Sequence, residues 1–194
     1  MSDEPPRAPR RMRADAAENR QKLLVAAKAV FTERGERASL NEVAKRAGVG
    51  SGTLYRHFPT LQALLVAIVR GNVDALCARG RDLLTHDDPD VGLRQWLREF
   101  AAHASTMNGL LATELAVDLL PGDRNPFADC HEAILATASE LLARAQTAGT
   151  FPSDSNVRDV LRLVNAIAWA SQQAPDDKEL IDRLLAITFG PDRS

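Results

Sequence analysis

Residues 39–60, SLNEVAKRAGVGSGTLYRHFPT, restrict the fold of this 194-residue chain more than any other stretch. Ser39 and Glu42 stand in the S-x-x-E form of a capping box, in which the hydroxyl accepts from the Glu42 amide and the carboxylate reaches back, so a helix starts here. It runs through Val43, Ala44 and Ala47 and stops at Gly48, since a helix C-terminus often needs a positive φ. A second short helix follows, with Val49, Leu54 and Phe58 packing it against the first, and small Ala44 and Gly48 suit a tight crossing. Two short helices joined by a glycine-containing turn make a helix-turn-helix. The outward residues are Ser51, Gly52, Thr53, Tyr55, Arg56 and His57, a concentration of hydrogen-bond donors that a core cannot use and a DNA major groove can.

Charge agrees with that reading. Residues 1–60 hold 12 Lys/Arg against 7 Asp/Glu, whereas residues 61–194 hold 12 against 19, so a basic head precedes an acidic body. This is the division expected when only the head meets a polyanion. No apolar run approaches the roughly 18 residues of a membrane span, and no apolar segment follows the N-terminal arginines, so neither a membrane partner nor a secretory signal is expected and the chain is read as cytoplasmic. Cys77 and Cys130 lack metal-ligand spacing and read as small core residues.

Helical periodicity organises the rest. Residues 1–14, with three prolines and four arginines, read as a disordered basic arm, and residues 15–60 as the helix-turn-helix domain. Leu23, Leu24, Ala27, Val30 and Phe31 mark a first helix ending at Gly35. Thr60 can cap a long helix reaching about Thr85, followed by a turn over 86–90. Helical patterns then run over Val91 to about Leu120, Phe127 to Ala148, Asp154 to about Gln173, and from Pro175 to Gly190, with a loop at Pro121–Pro126. No segment alternates with period two. The expected fold is therefore all-α, with about nine helices and residues 61–194 as a separate C-terminal domain.

The blocks LLVAAKAVFTERG, SLNEVAKRAGVGSGTLYRHF and LQALLVAIV, over roughly residues 20–70, resemble the tetracycline-repressor (TetR) family of bacterial transcription regulators. The resemblance implies a homodimer that binds a double-stranded operator through its heads and a small-molecule effector in its helical bodies. It also implies base-edge contacts from Ser51, Gly52 and Arg56, and phosphate contacts from Thr53, Tyr55 and His57, with Asn41 and Lys45 within reach of DNA. The chain departs from the pattern where the family usually has a lysine near the start of the fourth helix and this sequence has Leu61. Gly50 and Gly52 also leave the recognition helix short of side chains.

The body carries no comparable motif. Trp96, Phe100, His103, Met107, Leu111 and Leu115 recur at helical spacing, and Trp169 with Asn165 and Gln172 forms another mixed stripe. Such stripes line either a core or a mostly apolar pocket. The family resemblance favours a pocket at Trp96, Phe100, His103, Met107, Leu111 and Trp169. Val157, Leu161, Val164 and Ala168, with Leu180, Ile181, Leu184, Leu185 and Thr188, make more apolar surface than a small body can bury alone, and are expected at the dimer interface. Glu99 and His103 stand four apart, but there is no E-x-x-H pair, no H-E-x-x-H and no phosphate loop, so no enzyme, cofactor or metal is expected. The competing class is a helical protein-binding adaptor, whose apolar interface would lack the steep salt dependence of DNA binding.

Overall fold

The structure, a computed structural model, describes residues 8–34, 37–111 and 127–190, with the backbone path alone for 8–14, Thr32 and 106–111. The described residues form eight helices and no strand: α1 (Ala8–Arg34), α2 (Leu40–Ala47), α3 (Ser51–His57), α4 (Leu61–Leu83), α5 (Pro89–Leu111), α6 (Ala128–Thr147), α7 (Val157–Gln172) and α8 (Leu180–Phe189). The all-α expectation holds. The Pro121–Pro126 loop, Leu115 and the end of the helix expected to reach Leu120 lie outside the described residues. At the other end the backbone is already helical from Ala8, so residues 8–14 of the expected arm continue α1.

Local chemistry sets the helix ends. Ser39 Oγ accepts from the Glu42 amide at 3.3 Å. The Glu42 carboxylate turns instead to the Ser39 hydroxyl and to Arg34, so the capping box is half-formed. At the other end of α2 the Val49 amide donates to the Ala44 carbonyl and the Gly48 amide to Lys45, a Schellman closure around Gly48 at φ +67°. A Cβ on Gly48 would meet nothing within 4 Å, so the dihedral, not a tight crossing, demands the glycine. Gly48→Ala is expected to cost about 1–2 kcal/mol, the price of a left-handed L-residue. Gly52→Ala, in open space inside α3, should instead gain up to ~1 kcal/mol from helix propensity. Urea melts of the two variants check this pair; equal losses would place the constraint elsewhere.

Thr60 Oγ1 caps α4 by accepting from the Ala63 amide at 3.1 Å. At α5 the cap is Asp88, whose Oδ1 accepts from the Asp90 amide at 2.8 Å, and Pro89 takes the first helical position, where its missing N–H costs nothing. The helix therefore begins two residues before the expected Val91. Asn156 caps α7 in the same way, and α8 begins at Leu180, later than the expected Pro175.

Two hydrophobic clusters result. The head cluster joins Leu23, Ala27, Val30 and Phe31 of α1 to Val43 and Ala44 of α2, to Leu54 and Phe58, and to Leu64, Leu65 and Ile68 of α4. The body cluster takes up the same helix at Val69 and continues through Val73, Leu76, Cys77 and Leu83 to α5, α6, α7 and α8. The boundary expected at residue 60 is thus displaced into α4, which serves both cores. That helix is also long and apolar enough, by length and composition, to cross a membrane, contrary to the expectation from sequence. Its apolar stripe is buried against the two clusters. In the body, α4 passes so close to α5 and α6 that a Cβ on Gly80 would lie 2.2 Å from Thr137 Cγ2 and 2.8 Å from Trp96 Nε1. No larger residue fits there without displacing the Thr137 or Trp96 side chain.

Candidate nucleic-acid interface

The donor-bearing face of the head is positioned by two fully or nearly fully buried anchors, Leu54 and Phe58, which seat α3 on α1. With those two inward, Ser51, Gly52, Tyr55 and Arg56 are exposed and Thr53 and His57 half-buried. Asn41 and Lys45 are exposed on α2. Tyr55, at 46% exposure, is therefore not a ring packed into the head. Arg56 lies back along its own helix, Nε donating to the Gly52 carbonyl at 3.1 Å and Nη2 to Thr53 Oγ1 at 3.2 Å. Both bonds are exposed, and the fork of a guanidinium has the shape to match the two acceptors of a guanine edge. On the α1 side Arg20 lies over the Phe58 ring at 5.6 Å, a cation–π contact.

A half-exposed ion pair bridges α1 and α2. Arg46 hydrogen-bonds Glu33, which holds the Glu33 carboxyl below its usual range. Leu61 packs against the head cluster and is half-buried, so the position that carries a phosphate-binding lysine in the family serves hydrophobic packing here.

The body corrects several expectations. Trp96 is wholly buried, its Nε1 donating to the Leu76 carbonyl at 3.1 Å and its ring stacked on Phe100 at 5.6 Å. Both are buried in the core of the body, where α4 and α5 pack. Trp169 is 61% exposed, on the side of α7 opposite to buried Val164 and Ala168, so it cannot share a cavity with Trp96. Val164 and Ala168, together with Leu185 on α8, are buried in the subunit's own core and are withdrawn from the expected interface. Val157, Leu161, Leu180, Ile181 and Leu184 are half-buried, and Thr188 is exposed. His103 is half-buried; desolvation first, then the nearby Lys28, lowers its pKa below the ordinary imidazole value. The side chains of Met107 and Leu111 lie outside the described residues. Glu99 pairs with Arg79 at 3.1 Å.

Some placements had no sequence signal. Ser105 Oγ donates to the Ala168 carbonyl at 3.2 Å, and Gln172 donates to the Ser105 carbonyl, tying α5 to α7 across a separation no periodicity reveals. Arg94 Nη1 likewise donates to the Gly190 carbonyl at 2.7 Å, fastening the end of α8 to α5.

A glycine-closed helix-turn-helix on a basic head, joined by a shared helix to a separate helical body, is the architecture of a two-part DNA-binding transcription regulator. Residues 23–68 match the family model for bacterial regulatory proteins of the tetR family, and residues 88–190 match the model for the C-terminal domain of SbtR-like transcriptional regulators. A TetR transcriptional regulator of Streptomyces coelicolor shares the fold at TM-score 0.74 and 38% identity, over 88% of this chain and 95% of that one. A TetR regulatory protein of Mycobacterium vanbaalenii follows at TM-score 0.68 and 35% identity, over 84% and 98%. FadR of Bacillus subtilis, solved in complex with stearoyl-CoA, shares the fold at TM-score 0.67 and 17% identity, over 89% and 99%. HTH-type transcriptional regulators of Staphylococcus aureus are 44% identical over 64 residues, 32% of this chain. That match spans about a third of the length of these curated relatives, 35%. The chain belongs to the TetR family of bacterial transcriptional regulators.

Proposed function

We propose that the chain acts in the cytoplasm as a homodimeric repressor, released from a palindromic operator when a small, mostly apolar ligand binds its body. The observation that carries this reading is the double use of α4. The helix contributes Leu64, Leu65 and Ile68 to the head and Val69, Val73 and Leu76 to the body, so a ligand that tilts it in the body turns the head with it. Two heads on one duplex must keep a spacing of about 34 Å, one helical turn, or a multiple of it. A ligand that binds the wrong spacing 5- to 150-fold more tightly, about 1–3 kcal/mol, lowers operator affinity by the same factor. Of the pocket residues expected from sequence, His103 keeps partial exposure and is the polar anchor of this proposal.

The base-reading role falls to Arg56. Genome-wide capture of bound DNA supplies the operator, and fluorescence anisotropy then compares it with random duplex. Arg56→Ala is expected to cost about 1–3 kcal/mol on the operator and to relax preference at one position per half-site, with little change on random DNA. A parallel loss on both duplexes would reduce Arg56 to a phosphate contact. Undiminished affinity for a single half-site, or for the operator at high salt, would sink the dimeric operator reading itself.

A further inference from the structure

We propose that the cleft between α5 and α8 binds a short amphiphilic monocarboxylate, one molecule per subunit. This goes beyond the operator reading and does not depend on it. The cleft has a volume of about 410 Å³, near the lower end of the roughly 300–1,000 Å³ typical of small-molecule sites, which suits a short chain over a long one. Leu97, Leu185 and Phe189 supply its apolar lining, and Arg94, Arg98 and Arg183 reach it from both helices. An apolar wall with guanidinium groups beside it fits an acyl chain ending in a carboxylate, which an arginine fork accepts bidentately.

The arginines differ in how they are held. The Arg94 side chain is only 12% exposed, fixed by its Nε bond to Asp90 Oδ2 at 2.7 Å and its Nη1 bond to the Gly190 carbonyl. Asp90 is buried behind it and does not line the cleft, so the pair presents its cationic end. Arg98 pairs with Asp182 and Arg183 with Asp177, and in both pairs the side chains are 39–54% exposed. Solvent screens such pairs, so a ligand carboxylate can take the place of Asp182 on Arg98 while the aspartate turns to water. Glu179 and Asp182 also line the cleft, and their negative charge disfavours a ligand that brings a second carboxylate.

The test uses the full chain without DNA, so that failure of the operator reading leaves it intact. Octanoate, octanol, octylamine and the dicarboxylate suberate are titrated calorimetrically, and methyl NMR locates the site. Octanoate is expected to saturate at one per subunit, at least tenfold more tightly than octanol or suberate, with no saturable octylamine binding and with shifts at the Leu97 and Leu185 methyls. Arg98→Met with Arg183→Met, a change confined to half-exposed side chains, should bring octanoate down to the octanol level. Ala186→Trp, which fills the cleft and keeps every charge, should abolish binding of both. Equal affinities for octanoate and octanol, wild-type octanoate binding in the double arginine variant, shifts confined to methyls remote from the cleft, or no saturation at all would each overturn the proposal.

Discussion

Replacing Trp96 by alanine is expected to destabilise the protein by about 3–5 kcal/mol, the usual cost of deleting a buried tryptophan. The indole is wholly enclosed, stacked on Phe100, hydrogen-bonded to the Leu76 carbonyl and in contact range of the bare Gly80 backbone, so its loss empties the seam where α4, α5 and α6 meet. Total stabilities of domains run only to about 5–15 kcal/mol, so this change removes a large fraction. Guanidinium chloride unfolding measures it directly. A loss under about 1 kcal/mol would mean that Trp96 borders an open, ligand-sized space after all.

The second large effect concerns assembly. Trp169 is 61% exposed, Ile187 79% and Leu163 43%, on the outer faces of α7 and α8, with small Ala166 and Ala170 beside them. If the chain is the homodimer proposed above, this exposed apolar surface, and not the full stripe expected from sequence, is where the second copy packs. Trp169→Glu combined with Ile187→Glu is expected to give a folded monomer by sedimentation. Operator affinity should fall roughly 10²- to 10⁴-fold, the advantage lost when two linked half-site contacts become independent. The helical circular dichroism should hardly change, because neither side chain belongs to the core. Retention of a dimer with wild-type affinity would move the interface off these helices, and unfolding would show that both residues are needed within the subunit.

What the sequence made legible was local. Ser39 and Thr60 are legible as helix starts because capping needs only a side chain and an amide three residues on, and Gly48 as a helix end because a C-terminal turn at positive φ favours glycine. The outward set on α3 was legible because only Leu54 and Phe58 could be its buried side. The body was harder, since periodicity tells which residues share a face and not what the face meets. On α7, Val160, Val164, Ile167 and Ala168 point into the subunit while Leu163 and Trp169 point out, and both sides are apolar. The stripe of Val157, Leu161, Val164 and Ala168 expected at the interface therefore includes two core residues, and Trp169, expected in a pocket, faces outward. The aromatic stripe at Trp96 and Phe100 failed for the same reason: a core and a pocket recruit the same residues. The Arg94–Gly190 fastening spans 96 positions, and Gly80 looks from sequence like an ordinary weak spot in a helix. Only the packing reveals that its missing side chain is what lets three helices converge.

The passage of α4 through both cores bears on how such a regulator can be cut and recombined. A fragment ending at Thr60 would leave the head without Leu64, Leu65 and Ile68, three of its buried side chains, and would open its apolar interior to water. A graft of this head onto another body has its natural seam near Ile68 and Val69, in the middle of a continuous helix, where the buried residues of one core give way to those of the other and Val66 already touches the body. Because the backbone there stays helical across the seam, the azimuth of the donor helix is inherited along with its sequence. Inserting one residue would rotate the reading heads about 100° around α4 relative to the body, given 3.6 residues per turn, and a chimera made that way would keep both cores and lose the geometry between them.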